Sequence, residues 1–392
     1  MLAPLGTPSA ARSAAGASLR VPETRRARLL HVVHELDYGG LERLVGAMVR
    51  LIDRTRFECH ILTLSRFGRL AEGLEQYAEL HRCQSIARLS MIWPRHLVRT
   101  MRAIAPDVVH THSGVWYKAS LAARHAGVPL LVHTDHGRHL PDPWRARWLD
   151  GMAARRTDAV VAVSDALAQQ LVATVVPPAT RVRVIVNGVD TDLFRPQPVN
   201  GSFRRALGLR DGAAVIGSVG RFAPVKGYDV MIEAFALLHA AWREGPPPHL
   251  VLVGDGSQHA NLAALIEQRH LGDAVRLAGW QRDVERVYPQ FDVFTLSSRS
   301  EGTPLGLLEA MSAAVCPVVT DVGGSAAVLG EGLRHRLVPS ENPAALAAAW
   351  RDALADPERR RRDAGMARAR VEQTFALRAT VREYERIYLR EV

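Results

Sequence analysis

Cysteines and long apolar runs are both scarce in this sequence, and their scarcity excludes several classes of protein. Three of the 392 residues are cysteines, Cys59, Cys83 and Cys316, and they lie far apart. An odd, sparse count argues against a disulfide framework and is typical of a reducing compartment. The sequence contains no C-x-x-C zinc spacing. It also contains no run of about 18 apolar residues, which argues against a membrane-spanning helix. The sequence therefore predicts a cytoplasmic protein.

Acidic residues are outnumbered by basic ones, and this imbalance indicates an anionic partner. Lysine and arginine total 50 against 40 acidic residues, which gives a formal net charge of +10. Nucleotide phosphates, a membrane surface and nucleic acid all suit such a charge. Aromatic and basic residues do not alternate as a site for single-stranded nucleic acid requires. We therefore expect no nucleic-acid partner.

Two segments in the first half of the chain are compatible with a membrane surface as a partner. Residues 93–102 and 144–148 each combine tryptophan with arginine. Such segments can lie on an anionic bilayer, although an ordinary amphipathic helix has the same composition. Peripheral contact with the inner face of a membrane thus stands beside a purely cytoplasmic location.

Short apolar runs alternate with helical patterns along the whole chain. Continuous runs of Val, Ile and Leu are typical of parallel strands that are covered on both faces. We predict strands at 29–33, 59–64, 107–110, 130–133, 159–163, 183–186, 215–219, 250–253, 275–277, 293–296 and 317–320. Alternating strands and helices predict an α/β protein of doubly wound, Rossmann-like units.

Proline, asparagine and glycine interrupt this alternation near residue 200. They disfavour both helix and central strand, so we place an interdomain linker at 196–201. The predicted domains span 25–195 and 202–374, and ligands are expected in the cleft between them. Residues 1–24 are predicted to be a disordered tail. Residues 375–392 carry apolar residues at helical spacing and are predicted to form a closing helix.

Two glutamates, Glu301 and Glu309, lie eight positions apart on one strand-to-helix connection. Gly302 and Pro304 disfavour a helix around the first glutamate, whereas the second lies within an apolar helical segment. A carboxylate is rarely buried without a partner. The pair therefore indicates a site that binds several hydroxyl groups, as a sugar would provide.

Glycine-bounded loops that open helices are candidate anion sites. Gly39 and Gly40 follow the first strand, where free N–H groups of a helix N-terminus can meet a phosphate. A later loop carries Arg221 and Lys226 five positions apart, and these two cations can converge on a diphosphate. A plain turn would be the simpler explanation for the two glycines, and two exposed loop cations would be the simpler explanation for Arg221 and Lys226. The Gly-x-Gly that begins at Gly254 is a weak signal for a nucleotide.

Histidines at the ends of two predicted strands support a rival interpretation. His110 and His112 form an H-x-H pair, and His133, Asp135 and His136 close the next strand. Together they resemble the ligand set of a metal-dependent hydrolase. The second half of the chain supplies no further ligands of this kind, which weakens this interpretation. The hydrolase is therefore only an alternative.

The ordered set of motifs resembles the retaining GT-B glycosyltransferases of family 4. The resemblance covers residues 28–390, and its most specific part is Glu301 with Glu309, which matches the E-x7-E motif of that family. The other matching positions are 39–40, 163–164, 187–190, 220–221, 226–227, 254–256 and 323–324. Segments 40–42 and 135–138 also look like a bacterial subgroup associated with exopolysaccharide and exosortase systems.

The resemblance implies two Rossmann-like domains that face each other across a cleft, and it implies roles for the matching residues. Glu301 would contact hydroxyls of the donor sugar, and Glu309 would hold the ribose. Arg221 and Lys226 would bind the diphosphate, while His136 would lie near the transferred sugar. The remaining implied donor contacts are Gly39, Gly40, Gly220, Gly254, Gly302, Thr303, Pro304 and Leu305, with residues 280–283 near the base.

We therefore expect a retaining transferase that moves a sugar from a UDP or GDP sugar to a glycan or lipid-linked acceptor in bacterial polysaccharide synthesis. Cations at the leaving diphosphate would stabilise its charge, so neither a metal nor another cofactor is predicted. The alternatives are a nucleotide-sugar epimerase or phosphorylase on the same architecture, the metal-dependent hydrolase, and a non-catalytic binding protein.

Overall fold

The computed structural model describes residues 25–37, 39–83, 93–137 and 143–391. The predicted tail, residues 1–24, lies outside the described residues, as does Arg138 of the segment 135–138. The described residues form two parallel sheets with helices packed on both faces. This arrangement confirms the predicted α/β class with two doubly wound, Rossmann-like domains.

The first sheet has the strand order β3-β2-β1-β4-β5-β6-β7 within the described residues, and every pair is parallel. Its strands are β1 (Ala27–Val33), β2 (Phe57–Thr63), β3 (Glu79–Arg82), β4 (Val108–His112), β5 (Leu130–Asp135), β6 (Ala159–Ala162) and β7 (Val182–Val184). The helices in this part of the chain are α1 (Gly40–Leu51), α2 (Arg95–Ile104), α3 (Trp116–Ala126), α4 (Trp144–Ala154) and α5 (Asp165–Thr174).

The second sheet has the order β10-β9-β8-β11-β12-β13, again with parallel pairs. Its strands are β8 (Val215–Val219), β9 (His249–Val253), β10 (Val275–Leu277), β11 (Val293–Leu296), β12 (Cys316–Thr320) and β13 (Leu337–Val338). The later helices are α6 (Gly201–Ala206), α7 (Tyr228–Ala241), α8 (His259–Gln268), α9 (Leu305–Ser312), α10 (Ser325–Leu329), α11 (Pro343–Ala355), α12 (Pro357–Thr374) and α13 (Leu377–Tyr388).

The strand order changes direction between β1 and β4 in the first sheet and between β8 and β11 in the second. Ligands of open α/β sheets bind beyond the carboxyl ends of the strands at such points. Helix α1 follows β1, and the segment with Glu301 and Glu309 follows β11. The topology therefore brings both candidate segments to the cleft.

Two edge strands, β3 and β13, were not predicted from the sequence. β3 reads Glu-Leu-His-Arg and is only partly buried, so it lacks the apolar run that marks a covered strand. β13 is two residues long. In addition, β4 and β5 continue beyond their predicted ends to His112 and Asp135. These ends were missed because their residues are polar, although they are buried in the structure.

Helix α13 returns from the second domain to the first sheet. Leu377, Val381 and Tyr384 pack in the same core as residues of β1, β2 and α1. Tyr388 packs edge to face against Phe57 at the start of β2. The first domain is therefore completed by a segment that follows the whole of the second domain in sequence.

Candidate active site

Glu301 lies in the loop after β11, where two side chains from the same domain bind one of its oxygens. Lys226 Nζ and Ser298 Oγ each lie 2.6 Å from Glu301 Oε1. The glutamate side chain is only 8% exposed, and Lys226 is 29% exposed. A carboxylate can accept up to about four hydrogen bonds, so Glu301 retains acceptor positions for further hydroxyl groups.

Glu309 lies in the second turn of α9 and is held from two directions. Tyr288 donates a hydrogen bond of 2.5 Å to Oε2, and Arg43 Nη2 lies 2.6 Å from Oε1. Burial, and then the charge of Glu309, raise the pKa of Tyr288 well above its ordinary value, so the hydroxyl remains a donor. Arg43 belongs to α1 of the first domain, and this ion pair therefore crosses the cleft.

Close contacts between the domains surround the start of α9. A Cβ atom on Gly302 would lie 2.9 Å from the carbonyl oxygen of His136, so only glycine fits without movement there. Thr303 donates a hydrogen bond of 3.1 Å to the carbonyl oxygen of Val163. Gly40 faces the side chain of Leu305. The residues that follow Glu301 thus contact the first domain directly.

A cavity of about 740 Å³ lies between the domains beside these contacts. Six of the predicted site residues line it: Gly40, Gly220, Arg221, Gly254, Leu305 and Glu309. Gly254 has a positive φ of 140°, and an added Cβ atom would overlap the carbonyl oxygen of Gly220, so this loop requires glycine. Residues 280–283, expected near the base, line the same cavity.

Three histidines form a hydrogen-bonded chain that ends at the domain interface. His31 Nδ1 lies 3.0 Å from His112 Nε2, and His112 Nδ1 lies 3.1 Å from His136 Nε2. Burial lowers the pKa of His31 to about 3 and that of His136 to about 4. Burial, and then neighbouring histidines, also lower the pKa of His112. All three imidazoles are therefore neutral near pH 7.

A group that shares two histidines with this histidine chain bears on the hydrolase interpretation. Nitrogen atoms of His31, His110 and His112 lie within 4.8 Å of one another, as metal ligands could. However, both ring nitrogens of His110 already have partners, with Tyr388 Oη at 2.7 Å and Thr134 Oγ1 at 2.8 Å. The His110 side chain is thus used by the contact with α13.

Comparison with known proteins adds to this geometry. Residues 38–193 match the family described as Glycosyltransferase Family 4, and residues 200–370 match Glycosyl transferases group 1. A UDP-Gal:alpha-D-GlcNAc-diphosphoundecaprenol alpha-1,3-galactosyltransferase from Escherichia coli is 31% identical over 312 residues, which cover 76% of this chain and 80% of that protein. The chain belongs to glycosyltransferase family 4. It is a hexosyltransferase with the GT-B fold, as the resemblance implied.

Other relatives of this family 4 glycosyltransferase agree. A D-inositol 3-phosphate glycosyltransferase from Jonesia denitrificans is 31% identical over 297 residues, 67% of this chain and 68% of that protein. The crystal structure of Anabaena HepE with UDP and glucose superimposes with a TM-score of 0.79 at 21% identity, covering 92% of this chain and 98% of that one. Since the relatives are transferases, the epimerase, phosphorylase and hydrolase alternatives are not favoured.

The structure divides the predicted site of this glycosyltransferase into two adjoining groups. Besides the residues that line the cavity, a second group contains Lys226 bound to Glu301 and His136 against Gly302. Gly39 and Pro304 also lie outside the cavity lining, each directly before a residue that lines it, and Thr303 contacts Val163 of the first domain. The roles of all these residues remain predictions.

Sequence reasoning gave no role to Arg43, Tyr288, Ser298 or His31, and it considered His112 only as a metal ligand of the hydrolase alternative. Arg43 lies three residues after Gly40, on the helix whose N-terminus was singled out, and this position was the available signal. Two of the partners of Glu301 and Glu309 are distant in sequence: Lys226 lies 75 residues from Glu301, and Arg43 lies 266 residues from Glu309. No local pattern reports such contacts.

None of the helices within the described residues combines the length and the apolar content that crossing a membrane requires.

Proposed function

We propose that this glycosyltransferase transfers a hexose, with retention of the anomeric configuration, from a UDP sugar to a glycan or lipid-linked acceptor in bacterial polysaccharide or glycoconjugate synthesis. The observation that carries the proposal is the placement of Glu301 and Glu309 at the two ends of one segment. Glu309 faces the interdomain cavity, and Glu301 lies beside the contact of Gly302 with His136. One segment can thus hold the ribose and the transferred sugar of the same donor.

The diphosphate is expected between these two points. Arg221 and Leu305, the first residue of α9, both line the cavity. The N-terminus of a helix attracts anions through its free N–H groups and its dipole, and arginine adds a charged fork. Lys226 lies beside Glu301 at the sugar end. These groups stabilise the charge that develops on the leaving diphosphate, so the proposed reaction needs no metal.

The bond changes of the proposed reaction balance within the substrates. The bond from the anomeric carbon to the diphosphate oxygen breaks, and a bond to the acceptor oxygen forms on the same face of the sugar. The acceptor hydroxyl gives its proton to the leaving diphosphate. Residues of the chain therefore bind and orient both substrates, and the mechanism requires no side chain as a general base. His136 would face a hydroxyl of the sugar or of the acceptor.

Two relatives support the choice of donor and acceptor. The E. coli relative is named for UDP-galactose and a sugar linked to diphosphoundecaprenol, and HepE was crystallised with UDP and glucose. A lipid-linked acceptor would also explain the two tryptophan-containing segments. Trp93, Trp144 and Trp148 are large apolar side chains left exposed on the first domain, the last two at 66% and 60%. We propose that they contact an anionic membrane.

A transfer assay with defined donors tests the proposal. UDP and GDP hexoses are incubated with the full-length protein, with and without a polyprenyl-diphosphate sugar, and the product is examined by NMR. We expect a UDP sugar to be consumed only when acceptor is present, to yield a product with the donor's anomeric configuration, and to react equally well in EDTA. Conversion of the donor without acceptor would instead indicate an epimerase. An inverted product would disprove retention.

A further inference from the structure

The two outermost strands on one side of the first sheet carry a second group of histidines. His60 lies on β2 and His81 on β3, and these neighbouring parallel strands also carry Glu58 and Glu79. Residues two apart on a strand point to the same face. The pairing of His60 with Glu79 therefore brings all four side chains to one face of the sheet edge.

One possible ligand atom from each of His60, Glu79 and His81 lies within 4.8 Å of the other two. His60 Nδ1 and His81 Nε2 are 3.1 Å apart, at hydrogen-bonding distance. Glu79 Oε2 lies 3.5 Å from His60 Nδ1, and the other carboxylate oxygen, Oε1, lies 3.7 Å from His81 Nε2. Ligand atoms bound tetrahedrally to zinc at about 2.0–2.1 Å are about 3.3 Å from one another. The observed separations lie on both sides of that value.

We propose that His60, His81 and Glu79 bind one divalent transition-metal ion of the zinc class. The donor set contains two imidazoles and one carboxylate, which suits zinc more than magnesium or calcium. Glu79 is 66% exposed, and that side of the site remains open to water as a fourth ligand.

The other ring nitrogen of His60 supports the assignment. His60 Nε2 is buried without a hydrogen bond from the described residues, and Glu58 Oε1 lies 3.5 Å away. A histidine that binds metal through one nitrogen commonly donates its second N–H to a carboxylate, which fixes the ring. Glu58 is placed to accept that proton once Nδ1 holds the ion.

This arrangement differs from the buried cluster of His31, His110 and His112. There, His110 has hydroxyl partners on both nitrogens. In the edge group, the two nitrogens that would bind the ion face each other at 3.1 Å, and Glu79 approaches both of them. A bound ion would link the side chains of β3 and β2, in addition to the backbone pairing of these strands. It would also restrain the segment that leads into β3, of which Leu70, residues 72–74, Gln76 and Tyr77 line the interdomain cavity.

Calorimetric titration of the full-length protein with Zn²⁺ tests the site. We expect one equivalent to bind, and saturating Zn²⁺ to raise the thermal midpoint by at least about 3 °C. The His81→Ala and Glu79→Gln variants should each weaken binding at least about tenfold and lose the shift. Both replace partly exposed side chains, so folding is expected to persist and is verified by circular dichroism.

The His96→Ala variant removes an exposed histidine of the same domain and should bind Zn²⁺ as the unaltered protein does. Unchanged binding in His81→Ala would overturn the proposal, because the ion would then lie elsewhere. Absence of any one-to-one binding in the unaltered protein would overturn it as well. Neither readout depends on transferase activity, so failure here leaves the proposed reaction untouched.

Discussion

Arg43 of the first domain and Glu309 of the second are joined across the cleft at 2.6 Å. The arginine also lies over the ring of Phe194, 5.6 Å from its centroid, at the junction of the domains. This ion pair fixes the orientation of the carboxylate that we assign to the ribose. It also links the relative position of the two domains to that carboxylate.

Replacement of Arg43 by alanine should therefore weaken donor binding. The loss of a charged hydrogen bond of this kind costs about 1.5–3 kcal/mol, so KM for the donor should rise about 10- to 100-fold. Steady-state kinetics at varied donor concentration measures the change. Arg334→Ala, which removes an exposed arginine paired only with Glu331 among the described ion pairs, is the matched control. Tighter donor binding in Arg43→Ala would show that Arg43 competes with the ribose instead.

Lys226 and Glu301 form the next testable pair. Either Lys226→Ala or Glu301→Gln should lower kcat about 10²- to 10³-fold, because each removes a group at the reacting end of the donor. The double variant should lose less than the product of the two single effects, since the partners act together. The chain has one other lysine, Lys118, and Lys118→Ala is the control. Full activity in either single variant would contradict the site assignment.

The histidine chain allows a prediction about its protons. Each neutral imidazole has one N–H, so the bonds between His31, His112 and His136 require all three protons to lie on equivalent nitrogens. The two outer atoms of the chain, His31 Nε2 and His136 Nδ1, are both buried without a hydrogen-bond partner among the described residues, so each of the two arrangements leaves one buried N–H without an acceptor. All three histidines should therefore have the same tautomer. Nitrogen-15 NMR of labelled histidines distinguishes the tautomers, and different tautomers within the chain would contradict the prediction.

The same histidines make stability depend on pH. Burial lowers the pKa of His31 to about 3 and of His136 to about 4, below the ordinary value of 6.5. The unfolded chain therefore binds more protons as the pH falls below 6.5, and stability is lost on acidification toward pH 4. Between pH 7.5 and 5.0 each of these two histidines should account for about 1–2 kcal/mol. Thermal unfolding at both pH values measures the loss, which should be smaller in His31→Gln.

Membrane contact can be tested with the exposed tryptophans. The unaltered protein should sediment with anionic vesicles at low salt, and the Trp144→Ala, Trp148→Ala double variant should sediment several-fold less. Val199→Ala removes an exposed apolar side chain near the domain junction and should leave sedimentation unchanged. Equal sedimentation of the double variant, or none by the unaltered protein, would remove the proposed contact.

Much of the fold could be predicted from the sequence because most strands have a local sequence pattern. Covered parallel strands appear as apolar runs, and 215–219, 275–277 and 293–296 agree with β8, β10 and β11 to the residue. The edge strands β3 and β13 were missed because partial exposure and short length remove that signal. Glu301 and Glu309 were recognisable because both lie on one connection.

The environment of these residues was less predictable. Lys226 was expected at the diphosphate, but it also forms an ion pair with Glu301. Arg43 reaches Glu309 from the opposite domain, and His112 reaches His136 from a neighbouring strand. Such contacts depend on how the two domains and the strand ends pack together. The spacing of residues along the chain does not predict them.

The return of α13 to the first sheet has a consequence for synthesis on the ribosome. Tyr388 and Tyr384 supply hydroxyl partners for His110 and Thr134 in the core of the first domain. Until residues 377–388 leave the exit tunnel, these polar groups lack their partners, and part of one face of the first sheet is uncovered. The cores of the second domain are completed by α11 and α12, and α12 ends at Thr374, just before α13 begins. The domain at the start of the chain therefore waits for its last helix until the second domain has been translated in full.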